Sequence, residues 1–386
     1  MPTISKKGQK SAEYRKKNSP NLEKISEIIS THISVPSRTR FDSRMIINGC
    51  VATAMNKGSI SGYTQLHDNL PSHTTCLNII HNLDMDEMIR QSSKMLLEGG
   101  KGVISRGQTY TFAIDKTQDP YYGFRDEAPD SYIVGGKSKA STNYFFTYLT
   151  MSIVVSGCHR TIFSIPWQKG QKTLDTIQHC IELIRHLELK IRCLCLDREF
   201  YSGEIFKYFQ MEQVPHIVPV AEKGNELKEM LKGKKSKTFR YTMNKTTQPV
   251  ELVITDCIVY LMGKGKKSKH GIEHHAFVVF GTSASPRNVR AIYRHRFAIE
   301  STYRIRNTTL AKTTTKDPKI RFFYSLTAFL IQNVWVSIKW DRFAKLQRGP
   351  KVIEEKLFPL AHLIEIIRVE SLNLFRLKSI DEIAIS

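Results

Sequence analysis

The segment 287–307 reads RNVRAIYRHRFAIESTYRIRN, and its charged side chains fall on one side of a predicted helix. At about 100° per residue, one stripe of this helix carries Tyr293, Arg296, Glu300, Arg304 and Asn307. A single carboxylate therefore lies among arginines. One interpretation is a ladder of ion pairs four residues apart around Glu300, which would stabilise a surface helix by only about 0.2–0.5 kcal/mol per pair. The other interpretation is that Glu300 has a chemical role.

Two aspartates upstream favour a chemical role for Glu300. The apolar residues 110–114 end at Asp115, and the apolar residues 191–196 end at Asp197. Buried strands present functional side chains at their ends, where loops begin. Three carboxylates that meet from distant segments repel one another unless cations lie between them, and hard divalent ions prefer oxygen ligands. The sequence therefore predicts a metal site formed by Asp115, Asp197 and Glu300.

These residues resemble the signature of a known family. The chain looks like an insertion-sequence transposase of the DDE class with an RNase H-like core, in the subgroup whose third carboxylate lies in a Tyr-x2-Arg-x3-Glu-x6-Lys motif. The motif reads Tyr293, Arg296, Glu300 and then Asn307 in place of lysine. The run 115–123 also resembles the Asp-x4-Pro-Tyr-Tyr-Gly segment of relatives, and its Asp119 is interpreted as a turn former. The resemblance covers roughly residues 106–340.

The resemblance implies a DNA transposase that cleaves transposon-end phosphodiesters and transfers the 3′-OH into target DNA. It implies two Mg²⁺ ions, with Mn²⁺ as a substitute, held by the catalytic residues Asp115, Asp197 and Glu300. The implied partners are double-stranded DNA, as element terminal repeats and target, and a second copy of the chain in a homodimer on paired ends. The implied location is a prokaryotic cytoplasm, in association with the nucleoid.

The resemblance also implies residues that contact DNA around the cleaved bond. Tyr293 and Arg296 would hold the phosphates or an unstacked base of the cleaved strand. Because Asn307 stands where relatives have lysine, we expect Arg304 or Arg306 to supply that cation.

The order of predicted elements indicates an α/β protein. We expect an RNase H-like mixed five-stranded sheet flanked by helices, with three antiparallel and two parallel strands, within a catalytic domain at 106–340. A small β-rich insertion is predicted at about 222–285. The five core strands are predicted at 110–115, 144–156, 161–167, 191–196 and 216–220, and the insertion strands at 238–243, 250–262 and 275–281.

The remaining segments flank this domain. Residues 1–20 are rich in lysine and arginine and are predicted to be a disordered basic arm. Residues 21–105 have helical periodicity and could form a helix-turn-helix DNA-binding domain, in which His73, Thr74 and Asn78 would enter a major groove. The alternative is a pair of helices that only pack together. Residues 341–386 are predicted to be a helical tail.

Two motifs lie in the insertion. The loop 263–269 carries Lys264, Lys266 and Lys267, which would contact phosphates or simply be solvated. Residues 270–274 read HGIEH and match the H-x-x-E-H zinc motif. That chemistry needs a helix to place both imidazoles on one face, whereas a Gly/Lys loop precedes the motif and the strand predicted at 275–281 follows it at once, so we do not expect zinc.

Composition bounds the function class. The chain has 386 residues and a formal net charge of +22, which calls for a polyanionic partner such as nucleic acid. We expect no membrane span, since the longest apolar stretch is short and interrupted by Gln332 and Asn333. The basic start lacks the apolar core of a signal peptide, and seven cysteines without a CxxC pair favour a reducing compartment. The rival functions are an RNase H-like nuclease that does not join strands and a catalytically inactive DNA-binding protein.

Overall fold

The structure, a computed structural model, contains a helical region followed by a mixed α/β region. Its described residues are 19–37, 41–102, 104–124, 128, 130–154, 159–221, 225–244, 249–263, 270–347, 349–353 and 357–385. The helices are α1 (Pro20–His32), α2 (Ser43–Met55), α3 (Ile60–Leu66), α4 (His73–His81), α5 (Met85–Gly99), α6 (Thr173–His186), α7 (Gly203–Met211), α8 (Asn225–Met230), α9 (Pro286–Arg294), α10 (Ala298–Thr308), α11 (Pro318–Arg342), α12 (Leu360–Leu372) and α13 (Ile380–Ile385). The strands are β1 (Thr109–Tyr121), β2 (Ile133–Lys139), β3 (Thr142–Ile153), β4 (Arg160–Pro166), β5 (Lys190–Leu196), β6 (His216–Pro219), β7 (Lys237–Met243), β8 (Val250–Met262), β9 (His270–Phe280), β10 (Ala344–Gln347) and β11 (Gly349–Ile353).

The central sheet contains the five predicted core strands in the order β4-β3-β1-β5-β6. Strands β4, β3 and β1 pair antiparallel, and β1, β5 and β6 pair parallel. This confirms the mixed sheet that the resemblance implies. The insertion strands extend the same sheet, because β9 pairs antiparallel with β6 and is followed by β8 and β7. With β2, which the sequence did not predict, the sheet has nine strands in the part of the chain that the structure describes.

Helices cover both faces of the sheet, as expected for strands that are apolar on both sides. On one face, α6 and α7 pack Ile177, Ile181 and Phe206 against β1, β3 and β5. On the other face, α9 and α10 pack around Val289 and Ile299, while α11 contacts the end of β1 and β3. The buried strands thus hold their polar residues at fixed positions between two helical layers.

The two ends of the chain share one core. Helices α1, α2, α4 and α5 pack with α11 and α12 in a single hydrophobic cluster. The carboxylate of Glu370 on α12 accepts hydrogen bonds from the backbone N–H groups of Asn21 and Leu22, at 3.0 and 2.8 Å from Oε2. It therefore satisfies donors that the first turn of α1 leaves unpaired. The C-terminal segment begins with the hairpin β10–β11, which the sequence did not predict, before the expected helix α12.

Strand β1 runs further than the apolar pattern predicted. It was expected to end at Asp115, yet it continues through Pro120 to Tyr121, paired throughout with β3. Proline is tolerated there because the pairing of β1 with β5 stops at Ile114, which leaves that side of the strand free of ladder hydrogen bonds in the described sheet. The expected single helix at 287–307 is also divided, since a 3₁₀ turn at His295–Phe297 joins α9 to α10.

Arg306 is part of the core and does not reach the surface. Its side chain is 0% exposed, and its Nη2 donates to Asp119 Oδ2 at 2.7 Å and to Ser325 Oγ at 2.7 Å. The guanidinium lies 5.6 Å from the ring centre of Tyr148 and 5.3 Å from that of Phe329. The expected DNA contact by Arg306 is therefore wrong, because a buried guanidinium requires its carboxylate partner. Asp119 is correspondingly an ion-pair partner and not a turn former.

None of the helices in the described part of the chain combines the length and the apolar character needed to cross a bilayer.

The Arg306–Asp119 pair makes a stability prediction. Asp119→Ala leaves the buried guanidinium without its partner, so the free energy of unfolding should fall by about 3–5 kcal/mol. Urea denaturation followed by circular dichroism measures this. The matched control is Glu212→Ala, which breaks an exposed 2.7 Å pair with Arg185 and should cost at most about 1 kcal/mol. Equal losses in the two variants would contradict the structural role of Arg306.

Candidate active site

Asp115 and Asp197 lie side by side because of the parallel pairing of β1 and β5. The last paired residues are Ile114 and Leu196, and each aspartate follows directly. Asp115 Oδ1 accepts a hydrogen bond from the backbone N–H of Lys116 at 2.9 Å. Asp197 caps a 3₁₀ turn by accepting from the backbone N–H of Arg198 at 2.7 Å. Backbone hydrogen bonds therefore fix one oxygen, Oδ1, of each carboxylate and orient both acids.

Arg296 provides a cation between the two aspartates. Its Nη1 lies 3.0 Å from Asp115 Oδ2, and its Nη2 lies 3.6 Å from Asp197 Oδ1. The third nitrogen, Nε, donates to Tyr293 Oη at 3.0 Å. Arg296 is only 5% exposed. The predicted stripe pairing with Glu300 does not form, because the 3₁₀ turn directs this guanidinium to the sheet.

The electrostatic environment of Asp115 disfavours an isolated negative charge. Burial raises the pKa of Asp115 to about 6, Arg296 lowers that pKa, and the neighbouring carboxylates Asp197 and Glu199 raise it. Burial also raises the pKa of Glu199, whose carboxylate lies 3.6 Å from Lys116 Nζ. The guanidinium of Arg296 already lies between Asp115 and Asp197, so this pair of carboxylates stabilises a positive charge. Carboxylate oxygens are also the ligands that a hard divalent ion prefers.

Glu300 lies on the helix that packs beside Asp115 but is exposed. One turn later on α10, Tyr303 Oη lies 2.7 Å from Thr150 Oγ1, and Thr150 is the residue of β3 paired with Asp115. Glu300 thus lies one turn before Tyr303 on α10, and Tyr303 is the side chain of this helix that reaches the strand residue paired with Asp115. Within the described ranges, no three or more His, Cys, Asp or Glu side chains are grouped to hold a metal ion. The structure thus brings Asp115 and Asp197 together and does not assemble all three carboxylates.

The other residues expected to contact DNA are placed as follows. Tyr293 is 5% exposed and pairs with Arg296. Arg304 is exposed and donates to Ser301 Oγ at 3.1 Å, while Asn307 is exposed on the same helix. His73, Thr74 and Asn78 are all exposed on α4, whose N-cap Ser72 accepts a hydrogen bond from the backbone N–H of Thr75. Lys264, Lys266 and Lys267 lie outside the described residues.

A cavity of about 480 Å³ opens beside Asp197. Its wall includes Tyr293 and Arg296 from the helical side and His274 and His275 from β9. The lining is strongly cationic, because Arg198, Arg290 and Arg294 also border it. An anion would be attracted to this space.

Sequence reasoning missed Glu199 and Tyr303. Glu199 follows Asp197 by two residues, and this spacing at the end of an apolar strand was an available signal. Tyr303 had no such signal, because its contact with Thr150 depends on how α10 packs against the sheet.

The chain is similar to known proteins in both sequence and fold. A family model described as the transposase DDE domain matches residues 106–331. Among solved structures, the fold is similar to that of a piggyBac transposase in a synaptic complex with hairpin DNA, with a TM-score of 0.55 and 15% identity over 94% of this chain and 79% of that chain. At this identity the likeness shows a shared fold. No curated protein matches the chain.

The raised pKa of Asp115 predicts a pH-dependent stability. Because this pKa of about 6 exceeds its ordinary value of 3.8, the ionised carboxylate destabilises the fold above about pH 6, and the cost disappears as the pH falls toward about 4. Without divalent ions, the free energy of unfolding of wild type should therefore fall by roughly 2 kcal/mol between about pH 4 and about pH 8 through this carboxyl, and Asp115→Asn should lack that part of the fall. Urea denaturation of both proteins at the two pH values measures the difference. An equal pH dependence in wild type and variant would contradict the assignment.

Proposed function

The chain belongs to the transposase DDE domain family, and from this premise we propose that it cleaves phosphodiesters at transposon ends and joins the 3′-OH to target DNA. The observation that carries the proposal is the pair of aspartates, Asp115 and Asp197, joined by the buried Arg296 at 3.0 and 3.6 Å. Two carboxylates held together where the parallel pairing of β1 with β5 ends are costly for folding. Such an arrangement is typical of a site selected for chemistry.

The proposed metal ligands are Asp115, Asp197 and Glu300, with Mg²⁺ or Mn²⁺ as the ions and two ions in the site. When bound, divalent ions would activate the attacking oxygen and stabilise charge on the leaving oxygen. Asp115 and Asp197 each have one carboxylate oxygen already fixed by a backbone N–H, so they are oriented in advance. Glu300 would join them by a change in its own side chain, since its helix already packs beside Asp115.

Arg296 and Tyr293 would change partners as DNA enters. Arg296 has two nitrogens on carboxylates and one on Tyr293, so a metal ion that neutralises the carboxylates would free its guanidinium for a phosphate. Tyr293 keeps its hydroxyl protonated, because burial raises its pKa well above the ordinary value. It can therefore donate a hydrogen bond to a phosphate oxygen.

The proposed partners are the double-stranded terminal repeats of the element and its target DNA. The net charge of +22 supports a polyanionic partner. The exposed His73, Thr74 and Asn78 on α4 are the proposed base-contacting residues, and Arg304 is a proposed phosphate contact. We also propose that two copies of the chain form a homodimer on paired element ends. The proposed location is a prokaryotic cytoplasm, in association with the nucleoid.

Substitutions of Glu300 and of Glu199 test which of these two residues is the third catalytic carboxylate. Glu300→Gln should lower the rate of Mg²⁺-dependent cleavage of the DNA flanking this gene by at least about 100-fold and leave DNA affinity unchanged. The rate measurement is a gel assay with labelled DNA, and Asp115→Asn should behave in the same way.

Glu199→Gln is the matched control for that experiment, because Glu199 lies near the same aspartates but pairs with Lys116. It should retain cleavage within about tenfold. If Glu199→Gln abolished cleavage and Glu300→Gln did not, the assignment of Glu300 as the third carboxylate would be wrong.

Two outcomes with the wild-type protein would support the rival functions. Cleaved ends that never join a plasmid would support a nuclease that does not join strands. DNA binding without any cleavage would support a catalytically inactive DNA-binding protein.

The helix α4 yields a separate prediction on recognition. Asn78→Ala should weaken binding to the element's end by about 1–3 kcal/mol while leaving binding to unrelated DNA unchanged, since base contacts carry specificity. Competition binding at fixed salt measures both affinities. Asn82→Ala, one turn further along at the C-cap of the same helix, is the control and should change neither. Equal weakening on both DNAs would show that α4 does not read sequence.

A further inference from the structure

A second cavity, of about 340 Å³, lies where the helical region meets the end of β1. Its wall combines Lys57 near the end of α2, residues 118–120 of β1 and residues 310–313 of the segment that joins α10 to α11. The backbone N–H of Lys312 donates to the carbonyl of Gly58 at 2.9 Å. This hydrogen bond holds the joining segment against the helical region, so both sides of the cavity are fixed by the fold.

Arg321 on α11 borders this cavity and is only 8% exposed. Its Nε donates to the carbonyl of Thr315 at 2.6 Å, and its Nη2 donates to the carbonyl of Thr313 at 3.4 Å. Because Thr313 is itself part of the wall, these bonds hold the guanidinium at the cavity. Two of its five N–H groups are thus used, and within the described ranges the other three have no partner.

Arg321 differs from two other arginines that are buried against β1. Arg296 hydrogen-bonds to Asp115 and Arg306 to Asp119, whereas no carboxylate in the described ranges forms an ion pair with Arg321. Burial lowers the guanidinium pKa at all three positions, but neighbouring groups raise the pKa of Arg296 and Arg306 above its usual value, whereas that of Arg321 stays lowered. A buried cation without a bound anion is costly, so an anion in the cavity would stabilise it.

Two lysines make the cavity more cationic. Lys57 and Lys312 are exposed at its wall, and neither forms an ion pair with any residue that the structure describes. Asp119 is the carboxylate of the wall, but both of its oxygens accept hydrogen bonds from Arg306. The charge that remains is positive, and guanidinium and ammonium groups together suit a phosphate.

The cavity lies along the same strand and the same helix as the candidate active site. Asp119 follows Asp115 by four residues on β1, so their side chains share one face of the strand about 13 Å apart. Asn307, which borders the cavity, follows Glu300 by seven residues on α10, which is about 10 Å along the same helix face. With a rise of about 3.4 Å per nucleotide, a DNA strand that passes the aspartates reaches the cavity about three or four nucleotides away.

We propose that this cavity binds a backbone phosphate of the DNA strand, about three or four nucleotides from the cleaved bond, and that Arg321, Lys57 and Lys312 hold this phosphate. The inference rests on the proposed function, because it assigns a second contact to the same DNA. It gives the helical region a part in holding that strand, through Lys57. The bound phosphate would supply the anion that Arg321 lacks.

The test combines a neutral phosphate with neutral side chains. Sequencing of the wild-type cleavage products in Mg²⁺ locates the cleaved bond in the DNA flanking this gene. Duplexes of that sequence then carry one methylphosphonate each, which removes the charge of a single phosphate, at successive positions on either side of the bond. Fluorescence anisotropy without divalent ions measures the affinity of the uncleaved duplexes.

Wild type should bind about fivefold more weakly when the phosphate about three or four nucleotides from the bond is neutral. The double variant Lys57→Gln/Lys312→Gln should bind the unmodified duplex more weakly by a similar factor. It should then lose little more on the methylphosphonate duplex, because the two changes remove the same contact. Both lysines are exposed, so this variant should fold, and thermal melting verifies that it does.

Two further variants complete the set. Lys316→Gln is the matched control, because Lys316 is exposed on the same joining segment but does not border the cavity, and it should respond to the methylphosphonate as wild type does. Arg321→Gln should lose the response, as the lysine variant does. If Arg321→Gln does not fold, the lysine variant still decides the proposal.

An equal response to the methylphosphonate in wild type and in the lysine variant would overturn the phosphate site. The same would follow if Lys316→Gln lost the response too, or if no phosphate at this distance affected the binding of wild type. In each of these cases wild type still cleaves the DNA. If wild type did not cleave it, the proposed function itself would fail, which is a separate result.

Discussion

The interaction on which the site depends is the guanidinium of Arg296 between two carboxylates. Asp115 and Asp197 are forced together by the pairing of β1 with β5, and their mutual repulsion adds to the cost of burying Asp115. Without a cation, this corner of the sheet would be unstable. Arg296 supplies that cation in the metal-free protein, and its removal would leave a buried carboxylate uncompensated. The same charge pattern that needs an arginine also attracts divalent ions.

The position of the Arg296 guanidinium depends on the turn and on the helix packing around it. A straight helix through residues 287–307 would point Arg296 along the stripe of Glu300, but the 3₁₀ turn at His295–Phe297 rotates it toward the sheet. Val289 and Ile299 anchor the helices on either side of the turn in the core. The insertion strand β9 borders the cavity beside Asp197 on the side away from the helices. Packing on both sides thus converts three distant segments into one cationic cleft beside two acids.

Much of this arrangement was predictable because it depends on local pattern. The apolar runs that end at Asp115 and Asp197 predicted the strands, and the five core strands follow in the expected order. The burial of Arg306 was not predictable, because an arginine next to the position where the motif has lysine is interpreted as a DNA contact until its pairing with Asp119 is seen. Asp119 itself read as a turn former because it precedes a proline. Tyr303 was missed because its position comes from tertiary packing, which periodicity does not encode, whereas Glu199 had an available signal in its spacing of two residues from Asp197.

If Asp115, Asp197 and Glu300 share divalent ions, localised backbone cleavage should detect all three. With added hydrogen peroxide and ascorbate, Fe²⁺ bound in place of Mg²⁺ generates hydroxyl radicals that cut the chain within a few residues of the ion's ligands. Mass spectrometry of the fragments, with and without competing Mg²⁺, locates the cuts. We expect Mg²⁺-suppressible cuts near Asp115, Asp197 and Glu300. Cuts near the two aspartates and none near Glu300 would contradict a site shared by the three residues.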